Sequence, residues 1–221
     1  MSKPARTGFA MATGEVSLGV VDARAAAGTA ERGLVEQCRA GDPQAFARLV
    51  ALHEGMVFNL STRLLGDAEE AKDVSQDVFL QVYRTLGRFE ARSTLKTWIY
   101  RIVVNQCHNR RRFWSRRAKE RSRPLADLTS AEEAALAASR PDATSPYEEA
   151  CRRERADRLQ KALLKVTFAH RAILLLREVE GLSCEAIAAT LQVPEGTVKS
   201  RLARAREALR IQFERGAEAG R

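Results

Sequence analysis

The residues best suited to chemistry lie in two stretches, and both are suited to holding a polyanion rather than to making or breaking a bond. In the first, Trp98, Tyr100 and Asn105 lead into Arg110, Arg111, Arg112, Arg116, Arg117, Lys119, Arg121 and Arg123, opposed only by Glu120. Aromatic rings can stack on unpaired bases while arginines follow a phosphate backbone, which is what single-strand binding requires. Trp98 suits a core position equally well. In the second stretch, Glu180 to Arg210, a helical register turns Gly196, Ser200, Ala203 and Glu207 outward, flanked by Lys199 and Arg204, with Arg210 further along. Basic side chains there can contact phosphates or guanine edges, and small residues let the backbone approach a major groove. Arg201 and Arg206 lie nearer the buried flank and suit phosphate or intramolecular contacts.

Other chemistries find no support. His53, His108 and His170 have no metal-ligand spacing, no glycine-rich phosphate loop is present, and no nucleophile motif surrounds a Ser or Cys. Cys38, Cys107, Cys151 and Cys184 form no CxxC pair, so each reads as a small core residue rather than as part of a zinc site, a disulfide framework or a redox sensor. No catalytic residue, metal or cofactor is expected. A net charge of +9 and a pI near 9.9 favour a polyanionic partner. The longest purely apolar run, Ala172 to Leu176, falls far short of the roughly 18 residues a membrane span needs, so a soluble, cytoplasmic protein is expected.

The elements that must position these residues are all helical. At 221 residues, the chain suits two small domains. Residues 1–29 read as a disordered tail, with a transient helix conceivable over Asp22 to Ala27. Domain one, 30–122, begins with a short stripe of Leu34, Val35 and Cys38 ended by Gly41. Asp42-Pro43 restarts a helix whose core positions are Phe46, Leu49, Val50, Met56, Val57, Leu60 and Leu64, closed by Gly66. Asp67 and Glu70 open a third helix to about Leu86. Its inward side is Val74, Val78, Gln81 and Val82, and another face aligns Glu69, Asp73, Gln76, Asp77, Leu80 and Arg84. That acidic stripe around an exposed leucine suits a basic protein partner rather than DNA. Gly87 to Thr94 breaks the periodicity, and Ser93 or Thr94 caps the arginine-rich helix.

Residues 123–145, with Pro124, Pro141, Asp127, Glu132, Glu133 and Asp142, read as an acidic flexible linker, and Ala131 to Ala138 could form at most a short helix. Domain two, 146–215, starts at Ser145-Pro146 with Glu148, draws an apolar stripe from Leu159, Leu163 and Val166, and continues in a helix through Ile173, Leu174, Leu176 and Val179 to Gly181. Ser183 caps a short helix with Ile187, Ala188 and Leu191 on one face, Gln192-Val193-Pro194 interrupts, and Val198, Leu202, Ala205 and Leu209 pack the second helix inward. This is a helix-turn-helix. The tail after Phe213, including 216–221, is expected to fray.

The run DAEEAKDVSQDVFLQVYRTLGRF, followed by STLKTWIYRIVVNQCHNRRR and later by EGLSCEAIA and PEGTVKSRLARAREAL, resembles the extracytoplasmic-function group of bacterial RNA polymerase sigma factors. The match spans roughly Leu34 to Gln212. The resemblance implies an initiation factor that binds core polymerase, recognises the minus-thirty-five and minus-ten promoter elements and promotes melting. By the same resemblance Asp73, Gln76, Asp77 and Leu80 hold the coiled coil of the polymerase's largest subunit. The loop from Phe89 through Ser93 to Thr94, with Asn105 behind it, captures a flipped minus-ten base, and Trp98-Ile99 stands where primary sigma factors carry an aromatic pair, which implies stricter dependence on promoter sequence. Tyr100, Arg110, Arg111 and Arg112 join that site as single-strand contacts. Lys199, Ser200, Ala203 and Arg204, with Thr197 at the start of the same helix, match the readers of the minus-thirty-five element. In the family the linker passes through the active-site cleft, and members are commonly held inactive by an anti-sigma protein, which this layout permits. The family usually carries Leu-Pro where Val166-Thr167 stands, which leaves the geometry of that turn open. The competing reading is an ordinary repressor or activator with the same C-terminal domain and a sensory or dimerising first domain.

Overall fold

The computed structural model describes residues 30–120 and 146–218, all of whose regular elements are helical. The expectations for 1–29, for the linker, for the Ser145 cap and for the last three residues lie outside that range. One compact unit ends at Ala47 and a second begins at Arg48. In chain order the helices are α1 (30–39), α2 (Pro43–Leu65), α3 (Ala68–Thr85), α4 (Leu95–Glu120), α5 (Pro146–Lys165), α6 (Phe168–Leu174), α7 (Cys184–Leu191) and α8 (Glu195–Glu218).

Local chemistry sets most of these boundaries. Gly41 takes φ +84° to end the first turn region, and the Asp42 carboxylate accepts the Gln44 N–H at 2.8 Å to start α2. Gly66, at φ +81°, closes α2, a backbone geometry that side chains with a Cβ resist. A Cβ built there would also lie 2.6 Å from the methyls of Leu164. Gly66→Ala is therefore expected to cost about 1–2 kcal/mol of stability, read from chemical denaturation, most of it from the left-handed backbone because a leucine tip can yield. Asp67 caps α3 by accepting the Glu70 N–H at 3.0 Å. Thr94 rather than Ser93 caps α4, accepting the Thr97 N–H at 3.1 Å.

The apolar stripes meet where their periodicities direct them. Leu49, Val57, Leu60 and Leu64 of α2 are buried, as are Ala71, Val74, Val78 and Val82 of α3 and Leu95, Ile99, Val103 and Cys107 of α4, and α3 packs along α4. Phe46, Val50, Met56 and Gln81 are only half-buried. In the C-terminal part α5, α6 and α7 all pack on α8. Leu163 and Val166 are buried as expected, but Leu159 is 42 % exposed.

Two further expectations are corrected here. The helix through Ile173 does not run evenly to Gly181: α6 gives way to a π-helical turn over Leu175–Val179, and the extra residue in that turn rotates Val179 out to 47 % exposure. The segment after Phe213 does not fray at once. It stays helical to Glu218, held by Arg210 to Glu214 at 2.7 Å and by the Arg158 guanidinium 5.4 Å from the Phe213 ring. The turn at Val166-Thr167 forms without the Leu-Pro pair, since the Thr167 hydroxyl takes the cap position of α6 and accepts the His170 N–H at 3.4 Å.

Candidate nucleic-acid and polymerase interfaces

The helix-turn-helix closes through Ser183, whose hydroxyl accepts the Ala186 N–H at 3.1 Å, and through Gln192, which adopts φ +54° to end α7 and reverse the chain. The Pro194 carbonyl then accepts from Thr197 at 2.9 Å and Val198 at 3.1 Å, so proline serves as the cap of α8 rather than as its first helical residue. Val198, Leu202 and Ala205 are buried, and Leu209 is half-buried. That register leaves Lys199, Ser200, Ala203 and Arg204 exposed on one side, with Thr197 half-buried beside them. Lys199 reaches back to Glu195 at 2.7 Å, an interaction that holds its ammonium above the ordinary lysine value. Arg206 pairs with Glu178 at 2.6 Å, the intramolecular role its position suggests, and Arg210 lies between Glu207 and Glu214. Among the arginines on this helix, Arg204 is the exposed cation nearest Ser200 and Ala203.

On α3 the expected face is present: Asp73, Gln76, Asp77 and Leu80 are all exposed, Leu80 by 52 %, and Tyr83 beside them by 64 %. Beside it a groove of about 500 Å³ runs between α2 and α3, lined by Val50, Phe58, Ser75, Gln76 and Phe79. Arg110 reaches this face from α4, 3.5 Å from Glu70, 3.8 Å from Asp73 and 3.4 Å from Asp77. The sequence places Arg110 with the single-strand contacts, yet here its guanidinium is spread over the acidic helix.

The remaining residues of the expected minus-ten site divide between exposed and covered. Phe89 is buried and packs its ring 5.3 Å from that of Trp98, which is half-buried. Ser93 is half-buried, and Asn105, Arg111 and Arg112 are exposed. Tyr100 is different: it is 1 % exposed, and its hydroxyl donates to the Glu180 carboxylate. Burial, reinforced by that hydrogen bond and by the Glu180 charge, pushes its phenol above the ordinary tyrosine value. Arg111 lies over the Phe168 ring at 5.9 Å. Both partners belong to the C-terminal half and are invisible to local patterning.

One residue that patterning did not single out organises this region. Arg171, on α6, is 3 % exposed and donates to the carbonyls of Leu163 at 2.8 Å, Leu164 at 2.5 Å and Val166 at 3.3 Å, and to that of Leu64. These are the unpaired carbonyls that end α5 and α2. Burial, with Arg111 nearby, lowers its pKa to about 10, so it remains charged at neutral pH. The only hint in the sequence is an arginine directly ahead of an apolar run.

Among the cysteines, Cys107 is fully buried and Cys151 exposed, which corrects the expectation that all four are core residues. Burial pushes the Cys107 thiol up to about 12. A maleimide at pH 8 is expected to modify Cys151 quickly and leave Cys107 untouched in the folded protein, read by mass spectrometry. An acid whose folded value is raised loses its proton first in the unfolded chain. Its contribution is therefore neutral below pH 9 and falls by about 1.4 kcal/mol per pH unit from there towards 12.

Comparison with known proteins identifies the family of the chain. Residues 49–117 match the model of sigma-70 region 2, and residues 156–209 that of sigma-70 region 4. The RNA polymerase sigma-H factor of Pseudomonas aeruginosa is 38 % identical over 179 residues, covering 80 % of this chain and 90 % of that protein. The chain belongs to the extracytoplasmic-function group of RNA polymerase sigma factors. A second relative, the ECF sigma factor SigW of Bacillus subtilis, is 30 % identical over 180 residues, 81 % of this chain and 94 % of that one. Among solved structures, CnrH in complex with the cytosolic domain of CnrY is similar with a TM-score of 0.58 at 25 % identity, covering 84 % of this chain and 97 % of that one. As a sigma factor the protein is not an enzyme. It works by joining core polymerase to promoter DNA, and the ordinary repressor or activator reading is set aside. Among the described residues no helix is long and apolar enough to cross a membrane, and no cluster of potential metal ligands occurs.

Proposed function

We propose a residue-level division of the sigma factor's work. Asp73, Gln76, Asp77 and Leu80 on α3 hold core polymerase. Ser93, Trp98 and Asn105, with Arg111 and Arg112, receive the single-stranded minus-ten element, Phe89 backs the Trp98 ring from within, and Tyr100 and Arg110 join them when their present partners are exchanged. Thr197, Lys199, Ser200, Ala203 and Arg204 on α8 read the minus-thirty-five duplex. The corresponding domains are 30–122 and 146–215, joined by the linker 123–145, and the site of action is the bacterial cytoplasm.

The observation that carries this reading is the separation of charge by helix. Acidic side chains project from α3, while exposed arginines crowd the outer half of α4 and face out from α8. An acidic face repels DNA and favours a basic protein surface, whereas the other two favour phosphates. The exposed Leu80 and Tyr83 also offer an apolar anchor to an anti-sigma protein competing for the same face. The likeness to CnrH, solved with the cytosolic domain of another protein, is in keeping with such a partner.

The test is transcription in vitro with bacterial core polymerase on fragmented genomic DNA, mapping new 5′ ends. Discrete starts preceded by two shared elements are expected. Arg204→Ala is expected to reduce initiation about 10-fold or more at those starts and to relax preference at one base of the upstream element, as loss of an arginine-to-base contact worth about 1–3 kcal/mol would. Uniform loss at every sequence, with a shallower salt dependence, would make Arg204 a phosphate contact instead.

A further inference from the structure

We propose that Glu195, the first residue of α8, is a specificity-determining residue of the minus-thirty-five reader: its carboxylate accepts from the N4 amino group of a cytosine and, by holding Lys199, disfavours every duplex that lacks that base. The inference rests on the assignment of α8 to the upstream element made above.

The segment that turns towards DNA is built of donors and small side chains, with one exception. From Glu195 to Arg204 it reads EGTVKSRLAR, in which Lys199, Arg201 and Arg204 carry only hydrogen-bond donors and Glu195 is the one carboxylate. Ser200 donates its hydroxyl proton to the Thr197 carbonyl at 3.1 Å. Cationic donors suit the O6 and N7 atoms of guanine, whereas the amino group that marks cytosine in the major groove needs an acceptor. Adenine also offers an amino group, but the N7 lone pair beside it repels a carboxylate and suits an amide. Glu195 is therefore an acceptor matched to cytosine.

Geometry keeps that acceptor available. Lys199 Nζ lies 2.7 Å from Oε1 of Glu195, and the two side chains remain 65 % and 49 % exposed. A carboxylate accepts on both oxygens and an ammonium carries three donors, so each partner keeps capacity for a base while the pair is intact. The pair stands on the first turns of the second helix of a helix-turn-helix, the part that meets base edges. A Cβ placed on Gly196 would meet nothing within 4 Å, so the described residues leave that turn open.

Electrostatics makes the pair a filter. A net charge of +9 favours any duplex, because phosphate contacts carry no sequence information. Glu195 opposes this twice, by keeping the Lys199 ammonium from phosphates and by setting a negative charge among them. Where cytosine is present its amino group compensates the carboxylate. On any other sequence the carboxylate loses water without gaining a donor. An acid that merely complemented the helix dipole would be indifferent to the base beside it.

The experiment uses the full chain with core polymerase and promoter fragments taken from the mapped starts, randomised through the upstream element, with the bound fragments sequenced. The wild type is expected to prefer cytosine at one position about tenfold or more, as a well-placed base contact gives. Glu195→Gln removes that preference, raises retention of unrelated duplex several-fold, and steepens its salt dependence by about one counterion. Glu195→Asp keeps the charge, and with it the low retention of unrelated duplex, while its shorter stem weakens the cytosine preference. A wild type without a preferred cytosine, or a Glu195→Gln protein that keeps the preference, overturns the proposal. So does a uniform fall in binding at every sequence with a lowered melting temperature, which is what a role confined to starting the helix would give. Arg204→Ala, run in parallel, separates this from the assignment of α8. If it changes the preference at its own base while Glu195→Gln changes none, only the role of Glu195 falls; if neither variant changes any upstream preference, the assignment falls too.

Discussion

Arg171→Leu is expected to destabilise the protein by about 3–5 kcal/mol, making it the largest single effect on folding. The leucine removes every donor that now serves the carbonyls of Leu163, Leu164, Val166 and Leu64. Those carbonyls end two helices and carry the negative end of each helix dipole. Buried acceptors left without donors cost about 1–3 kcal/mol each when no water reaches them, and losing one side of a buried charged network costs about 3–5 kcal/mol in total. At about 2–4 °C per kcal/mol for a chain of this size, thermal unfolding followed by circular dichroism drops by roughly 10 °C. Arg171→Lys should fall in between, because an ammonium on a flexible stem cannot span acceptors placed for a planar fork. A melting temperature within 2–3 °C of wild type, on the same scale, would show that water takes over the carbonyls and that Arg171 is dispensable.

The largest effect on function is expected from the α3 face. Asp77→Lys with Leu80→Glu reverses a charge and puts a carboxylate where an exposed leucine now stands, on a helix whose core residues Val74, Val78 and Val82 are untouched. Folding should change by about 1 kcal/mol or less, most of it from the lost Arg110–Asp77 pair, since the substituted positions lie away from caps and core. Affinity for core polymerase should fall by about 3–4 kcal/mol, more than 100-fold, if Leu80 is an interface anchor ringed by charge. Run-off transcription then falls in proportion, while binding of the isolated chain to minus-thirty-five duplex is unchanged. Arg110 adds a refinement. It lies near Asp73 and Asp77, so Arg110→Ala leaves those carboxylates more exposed and is expected to change polymerase affinity far less than the double substitution. Undiminished polymerase binding by the double variant would move the core-binding surface off α3.

Much of this protein was legible in its sequence because the relevant physics is local. Caps at Asp42, Asp67 and Ser183, left-handed glycines at 41 and 66, and apolar residues three and four apart fix where helices start, stop and turn their apolar sides. The outward face of α8 followed from that register: once Val198, Leu202 and Ala205 point inward, Ser200, Ala203 and Arg204 must point out. The acidic face of α3 followed in the same way. What remained undecided was which outward-looking side chains meet something distant. Tyr100 finds Glu180 eighty residues away, and Arg171 finds the Leu64 carbonyl 107 residues away. Arg110 crosses to α3, Leu159 stays exposed, and a π-turn leaves Val179 uncovered. Helical periodicity gives each residue an angle around its own axis, whereas burial, pairing and proton affinity depend on what another element places along that direction. The sequence by itself therefore determined the helices, their faces and the family. Only the tertiary structure decided that an expected DNA contact, Tyr100, is covered by the other half of the chain, and that a buried arginine ties together the ends of two helices.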